Sequence, residues 1–218
     1  IVEFDWCVGE IMKTLDRLGL TEKTMIVVCS DNGPVLDDGY VDGAVEKLGD
    51  HTPAGPFSGG KYSVLEGGTR TPFIVSWPGT IPVGVSDEVV CTIDLPASLA
   101  ALTGVPIPAG ACRDSANVLD ALLAKPGAKG RDHLLQQDNG VSGNFGLRAG
   151  DWKLVRTKQQ GKSSAKVTKK ERPAAPLHAL YYLPDDPAEQ KDVSAQNAEK
   201  TQELIAKLDA IVGAPAGK

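Results

Sequence analysis

Met25-Ile26-Val27-Val28-Cys29, followed at once by Ser30-Asp31-Asn32-Gly33, is the stretch on which the reading of this chain turns. A short apolar run with no polar alternation, closed by turn residues, reads as a strand covered on both faces. A second run, Phe73-Ile74-Val75-Ser76-Trp77, reads the same way and stops at Pro78. Upstream, Phe4, Val8, Ile11, Met12, Leu15 and Leu18 recur at helical spacing, and Gly19 is a natural stop. Helix followed by covered strand argues for an α/β fold. Ligands of open α/β sheets sit outside the carboxyl ends of the strands, and Asp31 and Asn32 fall at such an end.

Between the two runs, residues 33–60 are rich in Gly, Pro and Asp and lack periodicity. Long loops in compact domains are usually functional or disordered. Asp31 and Asn32 carry hard oxygen donors of the kind that Ca²⁺ and Mg²⁺ take. An Asp-Asn-Gly turn is, however, common without any metal, because these residues tolerate unusual backbone angles. Lys61 stands between glycines and an aromatic, with no basic neighbour. A loop that gathers carboxylate, amide and ammonium suits an anionic group. Of the three histidines, His51, His133 and His178, only His51 shares that loop, which makes it the candidate substrate contact.

Two near-motifs fail. Gly55-Pro56-Phe57-Ser58-Gly59-Gly60-Lys61 approaches a phosphate-binding loop, but Tyr62 stands where the Mg²⁺-binding hydroxyl belongs and no strand precedes it. Asp38, Asp42 and Gly43 echo an EF-hand, yet Tyr40 fills a ligand slot and Gly49 replaces the bidentate glutamate. A net charge of −5 over 218 residues carries no overall nucleic-acid signature. Cys7, Cys29, Cys91 and Cys112 are widely spaced, so neither a zinc site nor a disulfide framework follows. No apolar run has the length of a membrane span. The helical pattern begins almost at Ile1, and we expect a fragment whose N-terminal part, with any targeting segment, lies upstream.

Further along, Thr92 or Asp94 can cap a helix that runs to Leu102 and stops at Gly104, with Pro96 in its first turn. Val118 to Leu123 reads as a helical turn. His133 to Gln137, Phe145 to Arg148, Asp151 to Val155 and Leu180 to Leu183 read as strands, with turn signals at Asn139-Gly140 and Ser142-Gly143. Leu204, Ile205, Leu208, Ile211 and Val212 mark one face of a last helix. The expected organisation is an α/β domain over 1–110 and a small α+β subdomain over 111–218, with a mobile basic insertion at 157–176. Lys153 to Arg172 hold eight basic residues and one acid, read as a solvated hairpin tip in preference to a polyanion-binding arm.

SDNGP (30–34), GGKYSVLEGGTRTPFIVSWPG (59–79), TIDLPASLAALTG (92–104), LRAGDWKLV (147–155) and LYYLPDDPAEQKDV (180–193) stand in an order that resembles the C-terminal half of the formylglycine-dependent sulfatases, relatives of alkaline phosphatase. The resemblance covers nearly the whole chain. It implies the C-terminal part of an alkaline-phosphatase-like sheet domain, then a small α+β domain of antiparallel strands with a C-terminal helix. It implies Asp31 and Asn32 as two ligands of a Ca²⁺ ion whose other ligands lie outside the chain. It makes Lys61 the catalytic lysine that binds the sulfate and assists the leaving oxygen, and Glu66 to Arg70 a wall of the site, with Arg70 a structural ion-pair partner.

The modified Cys or Ser, in a C/S-x-P/A-x-R motif, is not in this sequence, so the resemblance places the formylglycine outside it and makes the chain inactive alone. Ser58 stands where many members carry an arginine. The implied substrate is a sulfated small molecule or glycan, without nucleic acid or membrane span, and the implied compartment is periplasmic or extracellular. Nothing in the sequence sets an oligomeric state. Two other readings stay open: a phosphoester or phosphonate hydrolase of the same superfamily, and a non-catalytic glycan-binding module.

Overall fold

The computed structural model describes residues 1–138, 143–157 and 177–213. In chain order its elements are α1 (Val2–Arg17), β1 (Ile26–Cys29), α2 (Glu66–Thr69), β2 (Phe73–Ser76), α3 (Leu95–Thr103), α4 (Leu119–Leu122), β3 (His133–Gln137), β4 (Phe145–Ala149), β5 (Trp152–Arg156), β6 (His178–Tyr182) and α5 (Ala198–Gly213). They pack as two compact units, Ile1–Cys29 with Pro72–Arg131, and Ser30–Thr71 with Asp132–Lys218. The turn signals at 139–142 and nearly all of the expected insertion (158–176) lie outside the described residues.

In the first unit, α1 closes in a Schellman arrangement. Gly19 takes φ +67° while Leu20 N–H donates to Leu15 O at 2.9 Å and Gly19 N–H to Asp16 O at 2.9 Å. β1 and β2 pair antiparallel, Ile26 opposite Ser76 and Cys29 opposite Phe73. The expected burial on both faces is not found: Ile26 to Val28 are half-buried and Cys29 is exposed. Among the described residues the core cluster of this unit meets Phe73 and Val75 of β2 and no residue of β1, so the apolar run of β1 stays partly uncovered. The core of this unit is Val118, Ala121 and Leu122 against Phe73, Val75, Val90 and Leu95.

Asp94 stands at the N-terminus of α3 but does not cap it. Its backbone is already helical (φ −83°, ψ −14°), whereas an N-cap is an extended residue whose side chain accepts from amides further on. Asp94 ends a 3-10 turn (Thr92–Asp94) and reaches back to Cys91 as in a capping box. The buried carboxylate instead accepts from Cys91 N–H at 3.0 Å, Ala116 N–H at 2.9 Å and the Arg131 guanidinium at 2.6 and 2.8 Å. Burial alone pushes its pKa up. The Arg131 bonds and the two amides outweigh that and hold it below the ordinary aspartate value. A depressed carboxylate stabilises above its unfolded pKa, and that contribution is lost as pH falls through the folded value. Asp94→Asn should therefore lower unfolding stability at pH 7 by about 3 kcal/mol, as expected when a buried pair loses one charge. In urea titrations the gap to the parent should shrink as the pH is taken below about 4.

The second unit is a four-stranded antiparallel meander, β3-β4-β5-β6, with α5 against it. Leu135, Leu147, Leu154 and Leu180 face one another across the four strands. Leu204 and Leu208 of α5 close the layer, and all but Leu135 are fully buried. Ile211 continues the α5 stripe. Val212 is turned about 100° further round and faces outward, so the apolar face is narrower than its spacing implied. Strand alternation sends Gln136, Gly146, Arg148 and Lys153 to the opposite face of the sheet. The helix takes one face; the other is the floor of the candidate site.

Candidate active site

The turn after β1 is closed by its own side chains. Ser30 Oγ donates to Asn32 O at 3.0 Å, Asp31 Oδ1 accepts from Asn32 N–H at 2.9 Å, and Asn32 Nδ2 donates to Gly33 O at 2.8 Å. Asp31 is exposed and Asn32 half-buried.

Backbone hydrogen bonds then lock this turn to the segment that carries Lys61. Gly33 N–H donates to Gly68 O at 2.9 Å, and Lys61 N–H donates to Pro34 O at 3.0 Å. Gly67 N–H donates to Ser58 O at 2.8 Å, and Thr71 Oγ1 to Ser30 O at 3.3 Å. The chains approach closely enough that only glycine fits. A Cβ on Gly68 would lie 2.6 Å from Gly60 O, one on Gly67 would lie 2.7 Å from Gly59 O, and one on Gly33 would overlap Gly67 O. At the apex Tyr62 is held at φ +74°, a conformation that survives only where the surroundings impose it. Lys61 is half-buried with its Nζ 5.2 Å from the Tyr62 ring centre, and among the described residues it has no ion-pair partner.

Beneath the segment lies a charge cluster on the sheet. The fully buried Lys153 ammonium is 2.8 Å from Glu66 Oε1 and 3.1 Å from Glu189 Oε1. Arg148 and Arg70 approach Glu66 Oε2 at 3.3 and 3.6 Å. Glu66 N–H donates to Glu189 Oε2 at 2.6 Å, and Gln136 Nε2 donates to Thr69 Oγ1. Burial pushes the Glu66 carboxyl up, but Lys153, then Arg148 and Arg70, bring it below the usual glutamate value. Burial also pushes Glu189 up, and there Lys153 does not overcome it, with the Glu66 charge adding to the rise. The two carboxylates therefore pull stability in opposite directions as pH falls: the Glu66 contribution is lost, while protonation of Glu189 favours the folded state.

The site residues read from the sequence divide accordingly. The structure ties Asp31, Asn32 and Lys61 into one backbone junction. His51 is exposed in the loop, and only its backbone, donating to Leu48 O at 3.2 Å, is engaged among the described contacts. Arg70 pairs with Glu66 and stacks 4.7 Å over the Phe57 ring. Lys153 corrects the reading of the basic stretch, since it is a buried strand residue and no part of a solvated tip. Glu66 as a hub, Glu189 and Gln136 went unread. The one available signal was Lys153 itself, a cation in mid-strand between Trp152 and Leu154. No group of three or more His, Cys, Asp or Glu placed to hold a metal occurs among the described residues.

The Sulfatase family model matches residues 1–105. An N-acetylgalactosamine-6-O-sulfatase of Bacteroides thetaiotaomicron is 40% identical over 211 residues, 97% of this chain and 40% of its own length. Human (Homo sapiens) arylsulfatase A is 30% identical over 222 residues, 95% of this chain and 41% of its own. A solved structure from work on glycosaminoglycan metabolism by Bacteroides thetaiotaomicron superposes with a TM-score of 0.84 at 40% identity, covering 95% of this chain and 42% of that one. A Pseudoalteromonas sulfatase superposes at 0.72 with 23% identity over 100% of this chain and 43% of its own, a likeness of fold. The chain belongs to the sulfatase family, with the alkaline-phosphatase-like fold of its structural neighbours. It spans about 40% of the length of the curated relatives it matches.

The glycine packing gives a paired expectation. Gly68→Ala forces backbone against backbone and should destabilise by about 1–3 kcal/mol, as overpacking does. Gly9→Ala in α1, where a Cβ meets nothing within 4 Å, should stabilise by about 1 kcal/mol. Thermal unfolding of the two variants beside the parent reads both.

Proposed function

We propose that this chain supplies one wall of the active site of a sulfatase that hydrolyses sulfate esters on a carbohydrate. The observation that carries this reading is the junction of the Asp31-Asn32 turn with the Lys61 segment through the Pro34–Lys61 and Gly33–Gly68 backbone bonds. Two hard oxygen donors and an ammonium without an ion-pair partner among the described residues sit on backbone joined by these bonds, which supports the reading.

The donor set fits Ca²⁺ in kind, a carboxylate beside an amide oxygen, and in number it fits a partial site, since Ca²⁺ takes about 6–8 oxygens. Asp31 and Asn32 would hold the ion, and Lys61 would hold the sulfate and stabilise charge growing on the departing ester oxygen. When bound, Ca²⁺ supplies positive charge to the sulfate, and a formylglycine outside this chain supplies the nucleophile. His51 would contact the sugar from the exposed loop. The N-acetylgalactosamine-6-O-sulfatase relative makes 6-O-sulfated N-acetylgalactosamine the first substrate to try. A protein solved with D-glucosamine-2-N,6-O-disulfate as its substrate superposes with a TM-score of 0.62 at 19% identity, a likeness of fold alone. We place the protein in the periplasm or outside the cell. No helix among the described residues is long and apolar enough to cross a membrane.

In the full-length enzyme, Lys61→Ala should lower kcat on a sulfate monoester by about 10²–10³-fold, the loss typical of one charge-stabilising group. Turnover close to that of the parent overturns the assignment. Chelation should abolish activity and added Ca²⁺ restore it, and Asp31→Ala should raise the Ca²⁺ concentration needed for half-maximal rate.

A further inference from the structure

We infer that Glu66 is the positioning residue for Lys61, acting through the buried Glu66–Lys153–Glu189 cluster that fastens the 58–70 segment to the β3–β6 sheet. The inference rests on the sulfatase reading above and concerns how that site is held.

The connection is continuous. At the sheet, Lys153 of β5 and Arg148 of β4, opposite each other in register, both meet the Glu66 carboxylate. At the segment, Glu66 is fixed at its backbone too, by the 2.6 Å bond from its N–H to Glu189. One residue on, Gly67 holds Ser58, and Gly68 holds Gly33. Ser63 N–H returns to Gly60 O at 3.0 Å, and Leu65 N–H to Ser63 Oγ at 3.1 Å. Between Glu66 and Lys61 the chain is thus braced by hydrogen bonds within a tight turn. Val64 is buried with its carbonyl over Gly146, where a Cβ would come within 3.0 Å. The segment therefore has one seat on the sheet. A shift of Glu66 moves Lys61, while the Asp31-Asn32 turn keeps the side-chain bonds that close it.

Glu66 touches neither substrate nor metal on this account, so its effect must pass through Lys61. Glu66→Gln keeps the shape and removes the charge that faces Lys153 and Arg148. At a temperature where circular dichroism shows the variant fully folded, kcat should fall by roughly 100-fold, the loss a misplacement of about 1 Å brings, with KM within about threefold. In the Lys61→Ala background the same substitution should cause no further loss, because the group it positions is gone. Glu66→Asp should restore part of the rate.

Independent, multiplicative losses in Glu66→Gln/Lys61→Ala overturn the inference while leaving the sulfatase reading intact. So does unchanged kcat with only a lowered melting temperature. Unchanged kcat in Lys61→Ala alone overturns the sulfatase reading itself, and the inference with it. If Glu66→Gln does not fold, Arg148→Gln removes one less buried partner of the same carboxylate. It should show the same non-additivity with Lys61→Ala on a smaller loss, and additivity there is equally decisive.

Discussion

One buried ammonium shared by two carboxylates governs the second unit of this protein. Lys153 has no solvent contact, and it lies within 3.1 Å of both Glu66 and Glu189. Taking such charges out of water costs several kcal/mol per ion, and only close, well-hydrogen-bonded partners offset it. Here Arg148 and the Glu66 amide supply further partners. Buried ion clusters are weak sources of net stability. Their consequence is geometric: sliding the 58–70 segment along the sheet would leave a charge unpaired in a low-dielectric interior.

That constraint bears on the segment that carries Lys61, which the inferred role of Glu66 seats on the sheet. The four strands and α5 form the stiff layer, with Leu147, Leu154, Leu180, Leu204 and Leu208 fully buried. The opposite face of the same strands carries the charges that seat Glu66. Above them, glycines at 33, 67 and 68 let three backbone stretches touch where any side chain would intervene. Lys61 is thus presented by hydrogen bonds and contacts of the backbone around it. Among the described residues Lys61 has no carboxylate partner, which supports the anion-binding role proposed for it, since no ion pair within them has to be broken first.

Much of this was readable before any coordinates. The strand ends from His133 to Gln137, the stop of α3 at Gly104 and the junction residues Asp31, Asn32 and Lys61 follow from local pattern, turn chemistry and the ordered motifs. What escaped has one physical cause. Pairings between residues far apart in sequence leave no local signal, so Glu66 with Lys153 and Glu189, 87 and 123 positions away, could not be inferred. Lys153 was grouped with the basic residues that follow it because charge is read along the chain, whereas burial is decided by strand alternation against Leu154. Asp94 was legible in part: its carboxylate does accept Cys91 N–H at the start of the helical run. Its place before a helix indicated a cap, while its partners Ala116 and Arg131 come from later in the chain.

The most direct measurement is amide hydrogen exchange on the parent and on Lys153→Met, followed at Gly67 and Gly68 and at the β4 and β5 amides. If the cluster seats the segment, the substitution will release protection at Gly67 and Gly68 well before the strands open, leaving β4 and β5 close to the parent. Equal protection at Gly67 and Gly68 in the two proteins would contradict the account, because the segment would then be held by its own turns and not by the buried charge beneath it.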